Sequence, residues 1–226
     1  MRLATWNVNS LKQRVPRLLP WLDERRPDVV CLQETKLADA ALHELVDDAL
    51  SERGYEVAAH GEATWNGVAI LSRVGLEDVR AGIEGAPGFP HPEARAVSAT
   101  CAGIRVVCVY VPNGRTPGSE HYEYKLAWLA ALRAMVPERP TATVVCGDMN
   151  IAPADEDVFD PDAYVGQTHV TVPERRHSGS CGRGACTTSS ASGGPASASS
   201  PIGTTAPGCS TRTAACGSTS SSPATT

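Results

Sequence analysis

Thr143-Val144-Val145-Cys146-Gly147-Asp148-Met149-Asn150 decides how this chain is read. Thr143 to Cys146 is a run of β-branched and apolar residues, the composition of a strand buried on both faces. Gly147 lets the backbone turn, so Asp148 and Asn150 emerge at the strand's carboxyl end. With Met149 between them, their side chains can share one side of an extended backbone. A carboxylate beside a carboxamide suits hydrolysis: one accepts the proton of a water, and the other's NH₂ donates to a developing oxyanion. Taken alone, the same pattern is more often an Asx turn leaving a strand.

The segments around this strand repeat its plan. Glu120 to Met135, with Tyr124, Leu126, Trp128, Leu129 and Leu132 apolar, reads as the helix that feeds it. At the amino end, Leu3 to Asn9 is a strand that finishes in polar residues, and Ser10 is placed to cap a helix. That helix carries Leu11, Val15, Leu18, Leu19 and Leu22 at helical spacing, and Pro16 and Pro20 are expected to shorten or kink it. Asp28 to Glu34 is a second buried strand. The order strand, helix, strand predicts a parallel pair with a right-handed crossover, so Asn7 and Glu34 leave the same sheet edge.

Ala40 to Arg53 follows as a helix capped by Asp39. Tyr55–His60, Gly67–Ser72, Ala94–Cys101 and Ile104–Val111 then read as strands of mostly antiparallel type. Tyr110 closes the last of these, and Val111-Pro112-Asn113-Gly114-Arg115 leaves it in a turn. Asp148 and Asn150 therefore stand beyond a strand's carboxyl end, where open α/β sheets place their ligands.

Composition divides the 226 residues near Arg176. From His177 to Thr226, 42 of 50 residues are Ser, Thr, Gly, Ala or Pro, with one Ile and no Leu, Val, Met or aromatic. Such a segment cannot bury enough apolar surface to offset the entropy of ordering, so disorder is expected over 177–226 and one folded domain over 1–176. The chain's formal charge of −5 displays no basic face for nucleic acid. Cys31, Cys101, Cys108 and Cys146 lie in apolar runs and are expected to be reduced and buried. Cys181, Cys186, Cys209 and Cys216 lack metal-ligand spacing. Neither a signal peptide nor a membrane span is evident, which points to a cytoplasmic protein.

Asn7, Glu34, Asp148 and Asn150 are oxygen-bearing side chains at strand ends, without His or Cys among them. Hard oxygen donors with few carboxylates suit Mg²⁺, which keeps several waters and shares its shell with phosphate. Tyr110 can donate to a phosphoryl oxygen, and the set suggests metal-assisted phosphodiester hydrolysis. Singly, Glu34 is as often a solvated strand end, while such an Asn7 is more often an Asx turn and such a Tyr110 more often a rim aromatic.

The motifs MRLATWNVNSLKQR, DVVCLQETK, NGVAILSR, VYVPNGR, YKLAWLAAL, GDMNIAP and GQTHVTVPER run in order from Met1 to Arg175. Together they resemble the bacterial exodeoxyribonuclease III family, of the AP endonuclease branch of the endonuclease/exonuclease/phosphatase superfamily. The resemblance implies a four-layer α/β sandwich of two mixed sheets, and a Mg²⁺- or Mn²⁺-dependent monomer. It also implies action on duplex DNA at abasic sites and 3′ ends in DNA repair. By position, Glu34 matches the principal metal ligand, with Asn7 beside it in the metal and phosphate site. Asp148 matches the residue that orients or deprotonates water, Asn150 a transition-state donor, and Tyr110 the site tyrosine. Asn113 and Arg115 fall in a loop facing the DNA backbone. A small-molecule phosphodiesterase or phosphatase of the same fold is the alternative, and a non-catalytic DNA- or metal-binding remnant a further one.

After PER the resemblance stops. Relatives continue with a helix, a WxDYR segment, a DLxL strand and a closing SDH triplet, which residues 177–226 lack. Shifted by one nucleotide, His177 to Thr188 permits ALRELRAWGLHD, Ser200 to Thr205 permits FTYWDY, and Cys216 to Ser221 permits MRIDLV. These are the absent segments in their expected order, so 177–226 reads as a frameshifted translation. A chain with half of its active site is expected to have little activity.

Overall fold

The computed structural model describes residues 1–136 and 142–178. The expected tail lies outside these residues, apart from His177 and Ser178, which continue the last helix. The first half contains β1 (Leu3–Asn7), α1 (Leu11–Arg25), β2 (Val29–Gln33), α2 (Asp39–Ser51), β3 (Glu56–His60) and β4 (Val68–Ser72). The second contains β5 (Glu77–Ala81), β6 (Ala96–Cys101), β7 (Ile104–Tyr110), α3 (Glu120–Met135), β8 (Thr143–Asp148) and α4 (Val172–Ser178).

Two four-stranded sheets result, in the orders β1-β2-β4-β3 and β5-β6-β7-β8. Each is mixed: β1 with β2 and β7 with β8 are parallel, and the other pairs are antiparallel. The period-two alternation of the strands sorts their side chains into layers. Val30 and Leu32 of β2 and Ala69 and Leu71 of β4 turn outward to Leu18, Leu22, Leu42 and Val46 of α1 and α2. Their neighbours Val29, Cys31, Val68 and Ile70 turn inward and meet Val97, Ala99, Val106 and Cys108 of the opposite sheet. Val107 and Val109 face outward onto Trp128, Leu129 and Leu132 of α3. Both faces of β2 and β4 are covered, which is why those strands are apolar throughout. The result is the four-layer α/β sandwich of two mixed sheets, helices outside. Cys31, Cys101, Cys108 and Cys146 are free thiols inside it, as expected. No helix among the described residues is long and apolar enough to cross a membrane.

Several local expectations are corrected. α1 runs through Pro16 and Pro20 instead of ending at either. Both prolines, and the Lys12 residue whose carbonyl Pro16 leaves without a donor, are exposed, so water can complete the helix there. Ser10 does not cap α1 with its side chain. The amides of Ser10 and Leu11 donate instead to the carbonyls of Glu34 and Thr35, at 2.8 and 3.1 Å. Asp39 is the first residue of α2 rather than its cap, and its Oδ1 accepts from the Gly61 amide at 2.6 Å. β5 was missed because all five of its residues are exposed and charged side chains dominate it, as is common for an edge strand.

Candidate active site

The parallel pairs β1/β2 and β7/β8 bring four of the expected residues together. Asn7 pairs with Gln33 in register, so Asn7 and Glu34 leave one sheet side by side. Tyr110 pairs with Asp148 and leaves the other. Gly147 allows the close approach that this pairing needs: a Cβ there would lie 1.9 Å from the Val109 carbonyl oxygen, with φ at +143°.

Asn7 joins the two sheets. Its Nδ2 donates to Glu34 Oε1 at 2.8 Å and to Asp148 Oδ2 at 2.9 Å. Its Oδ1 accepts from the Asn9 amide at 3.1 Å, so the carboxamide presents its NH₂ to the carboxylates. Glu34 Oε2 faces Lys36 Nζ at 3.0 Å. Burial pushes the Glu34 carboxyl up, but hydrogen bonds from Asn7 and Lys36 outweigh it and hold the group below its ordinary value. Burial, reinforced by the Glu34 charge, pushes the Tyr110 phenol well up, so it stays protonated at neutral pH. Arg95 lies over its ring, 4.9 Å from the centroid.

Asn150 departs from the extended geometry expected of it. Its φ is +48°, and its amide donates to Asp148 Oδ1 at 3.1 Å, the Asx turn that the sequence left open. Its Nδ2 donates to the Val111 carbonyl at 2.8 Å. Asp148 is thereby held at both oxygens, by Asn7 and by its own turn. Asn113 and Arg115 share an exposed loop, the Arg115 amide donating to Asn113 Oδ1 at 3.0 Å. Asn113 Nδ2 lies 3.2 Å from His169 Nε2. Burial and the Lys125 charge push His169 down to about 4, which leaves that imidazole neutral.

A divalent ion fits the chemistry of this donor set: two carboxylates joined by one carboxamide, with Glu34 Oε2 already facing a cation. The described residues contain no group of three or more His, Cys, Asp or Glu side chains able to hold a metal. Two carboxylates would leave such an ion most of its own waters.

Lys125 and Glu174 were not singled out from the sequence. They form an ion pair with both side chains wholly buried, Nζ to Oε1 at 2.5 Å, joining α3 to α4 beside the site. The available signal was a lysine within the apolar YKLAWL run and a glutamate after the T-x-V-T segment. Trp65 was also missed: it is 69% exposed in the loop before β4. That loop sits at the Glu34 edge, since Lys36 and Thr35 donate to the Asn66 and Gly67 carbonyls at 3.0 and 3.1 Å.

Burial alone would raise the Glu174 carboxyl, but hydrogen bonds from Lys125, Thr171 and the His169 amide hold it down at about 2. A depressed carboxyl contributes stability above its ordinary value of 4.5, and that contribution is lost as pH falls toward about 2. Thermal melts from about pH 5 to pH 3 should therefore lose on the order of 5 °C to this group alone. Wild type and Lys125→Met/Glu174→Met falling in parallel would exclude it.

A profile model described as the endonuclease/exonuclease/phosphatase family matches residues 4–218. An exodeoxyribonuclease of Bacillus subtilis is 30% identical over 179 residues, covering 77% of this chain and 68% of its own. A 3′ phosphatase from Neisseria, solved with a product DNA hairpin, superposes with a TM-score of 0.73 at 37% identity, covering 79% of this chain and 69% of its own. An AP endonuclease from Archaeoglobus fulgidus gives 0.71 at 37% identity, with 78% and 68% coverage.

Proposed function

The chain belongs to the endonuclease/exonuclease/phosphatase family, and on that premise we propose that it is a DNA-repair phosphodiesterase of the exodeoxyribonuclease III type. Its substrates are duplex DNA at abasic sites and at 3′ ends, and Mg²⁺ or Mn²⁺ is its cofactor. The observation that carries this reading is Asn7 donating to Glu34 and Asp148 at once, with Tyr110 beside them. It is supported by the names of the relatives, among them an exodeoxyribonuclease and an AP endonuclease.

Each side chain has a role that follows from its surroundings. Asp148, fixed at both oxygens, takes the proton of the attacking water as the new oxygen–phosphorus bond forms and the bond to the leaving sugar oxygen breaks. Tyr110, kept protonated, donates to a non-bridging phosphoryl oxygen. Glu34, with Asp148 nearby, would hold the ion through Oε2 once Lys36 yields. Bound there, a divalent ion supplies Lewis-acid polarisation of the phosphoryl group. The Asn150 amide orders the Asp148 carboxylate; for its carboxamide to be the transition-state donor of this reading, the NH₂ would have to turn from the Val111 carbonyl that now accepts from it. Asn113 and Arg115 contact the DNA backbone.

Nicking of an abasic-site duplex with Mg²⁺, compared with release of phosphate from small phosphomonoesters, tests the reading. Preference for the small substrate would sink it. Trp65 adds a separate expectation. An exposed indole at the same edge offers a stacking face to an unpaired or end base, and such stacking contributes about 1–3 kcal/mol. Trp65→Ala should weaken binding to an abasic-site duplex by about tenfold, measured by fluorescence anisotropy without metal. Equal affinities would remove Trp65 from the DNA surface.

A further inference from the structure

We infer that Lys125 is a positioning residue, whose buried ammonium couples the loop carrying Asn113 and Arg115 to the turn that holds Asp148. This rests on the role assigned to Asp148 above, but its test needs no cleavage.

Lys125 sits in the middle of α3 among the core residues Tyr124, Trp128 and Leu129, where an apolar side chain would pack. A buried ion pair is seldom more stabilising than apolar residues of similar volume, so stability does not by itself account for it. Nor does Glu174 depend on the lysine for hydrogen bonds. Its Oε1 accepts from Thr168 Oγ1 at 2.8 Å and the His169 amide at 2.9 Å. Its Oε2 accepts from the Thr171 amide at 3.0 Å and Thr171 Oγ1 at 2.7 Å.

A methionine in place of the lysine could not donate to two carbonyls on separate loops. Nζ donates to the Asn150 carbonyl at 2.6 Å and to the Asn113 carbonyl at 3.1 Å. Asn150 in turn gives its amide to Asp148 Oδ1. A short relay thus runs from the ammonium to one oxygen of the carboxylate that activates water. The other oxygen is held by Asn7. The aliphatic stem is also used. At Gly114, with φ at +86°, a Cβ would lie 2.7 Å from Lys125 Cδ, so the Asn113 loop rests directly on the lysine.

Amide hydrogen exchange on the full chain tests this. In Lys125→Met/Glu174→Met, which removes both buried charges, the Asn150 amide should lose protection by about tenfold or more. Val107 in β7 and Leu129 in α3 should stay within about twofold. Gly114→Ala should produce the same loss at Asn150, although the substitution lies on the other loop, and should add nothing in the double-variant background. That transmission is what a merely structural lysine would not provide. Unchanged exchange at Asn150 in both variants overturns the inference. So does a loss shared equally by Val107 and Leu129, which would mean general destabilisation. If the double variant does not fold, Gly114→Ala alone decides, by whether Asn150 responds while Val107 and Leu129 do not.

Discussion

On our proposal that residues 177–226 are a frameshifted translation, restoring the reading frame after residue 176 is expected to raise Mg²⁺-dependent nicking of an abasic-site duplex by about a thousandfold or more over the chain as written. The joined sheets bring together Asn7, Glu34, Tyr110 and Asp148, and only two of these are carboxylates. Mg²⁺ dehydrates reluctantly, and with one or two carboxylates it relies on its own waters and on substrate phosphate. The resemblance places a further aspartate and an aspartate–histidine pair beyond PER, in the segment that the proposed frameshift would have replaced. Groups that act as a unit fail together, so losing part of the set costs nearly as much as losing all of it. The measurement is a nicking rate for three proteins: the chain as written, the frame-restored protein, and a version without 177–226. The first and third should be alike. Cleavage by the chain as written that vanishes on deleting 177–226 would show that these residues work as they are.

Glu34→Ala in the frame-restored protein should lower turnover by about a hundredfold or more, the loss expected when a metal-based contribution disappears. Mn²⁺ affinity, read from the ion's magnetic resonance signal, should fall with it. The two readouts separate the carboxylate's roles. Glu34 also accepts from Asn7 and pairs with Lys36, so a change in turnover alone could come from a displaced Asn7. Glu34→Gln keeps an oxygen acceptor for the Asn7 NH₂ but removes the charge, and it should fail on Mn²⁺ affinity as Glu34→Ala does. Full activity of either variant at saturating Mg²⁺ would take Glu34 out of the site.

Much of the site could be read before any coordinates because it depends on chain direction. Asn7 and Glu34 end strands joined by one helix, and such a unit leaves both ends on one edge. Asp148 and Tyr110 follow the same rule through α3. Other features depend on what happens to lie nearby, and a single chain does not display that. Ser10 looked like a cap, but carbonyls of Glu34 and Thr35 already satisfied the amides it would have served. Asn150 looked like a second side chain on the Asp148 face, but the Val111 carbonyl draws its NH₂ away. Lys125 and Glu174 are 49 residues apart, and no local pattern announces that one buried charge meets the other. Trp65 was passed over because an aromatic between Thr64 and Asn66 has no periodicity to set it apart.

Among the described residues the two sheets exchange no strands: the strands of the first lie between Leu3 and Ser72, and those of the second between Glu77 and Asp148. A peptide ending at Arg73 would hold Asn7 and Glu34, and its complement starting at Val74 would hold Tyr110 and Asp148. Neither fragment contains a working centre, and the interface that would rejoin them is the apolar layer of Val29, Cys31 and Ile70 against Val97, Val106 and Cys108. The segment between Ser72 and Glu77 is therefore the place to divide the chain. Two such fragments of the frame-restored protein, fused to partners that bring them together, should re-form the Asn7 bridge and regain nicking, and so report on the proximity of whatever carries them.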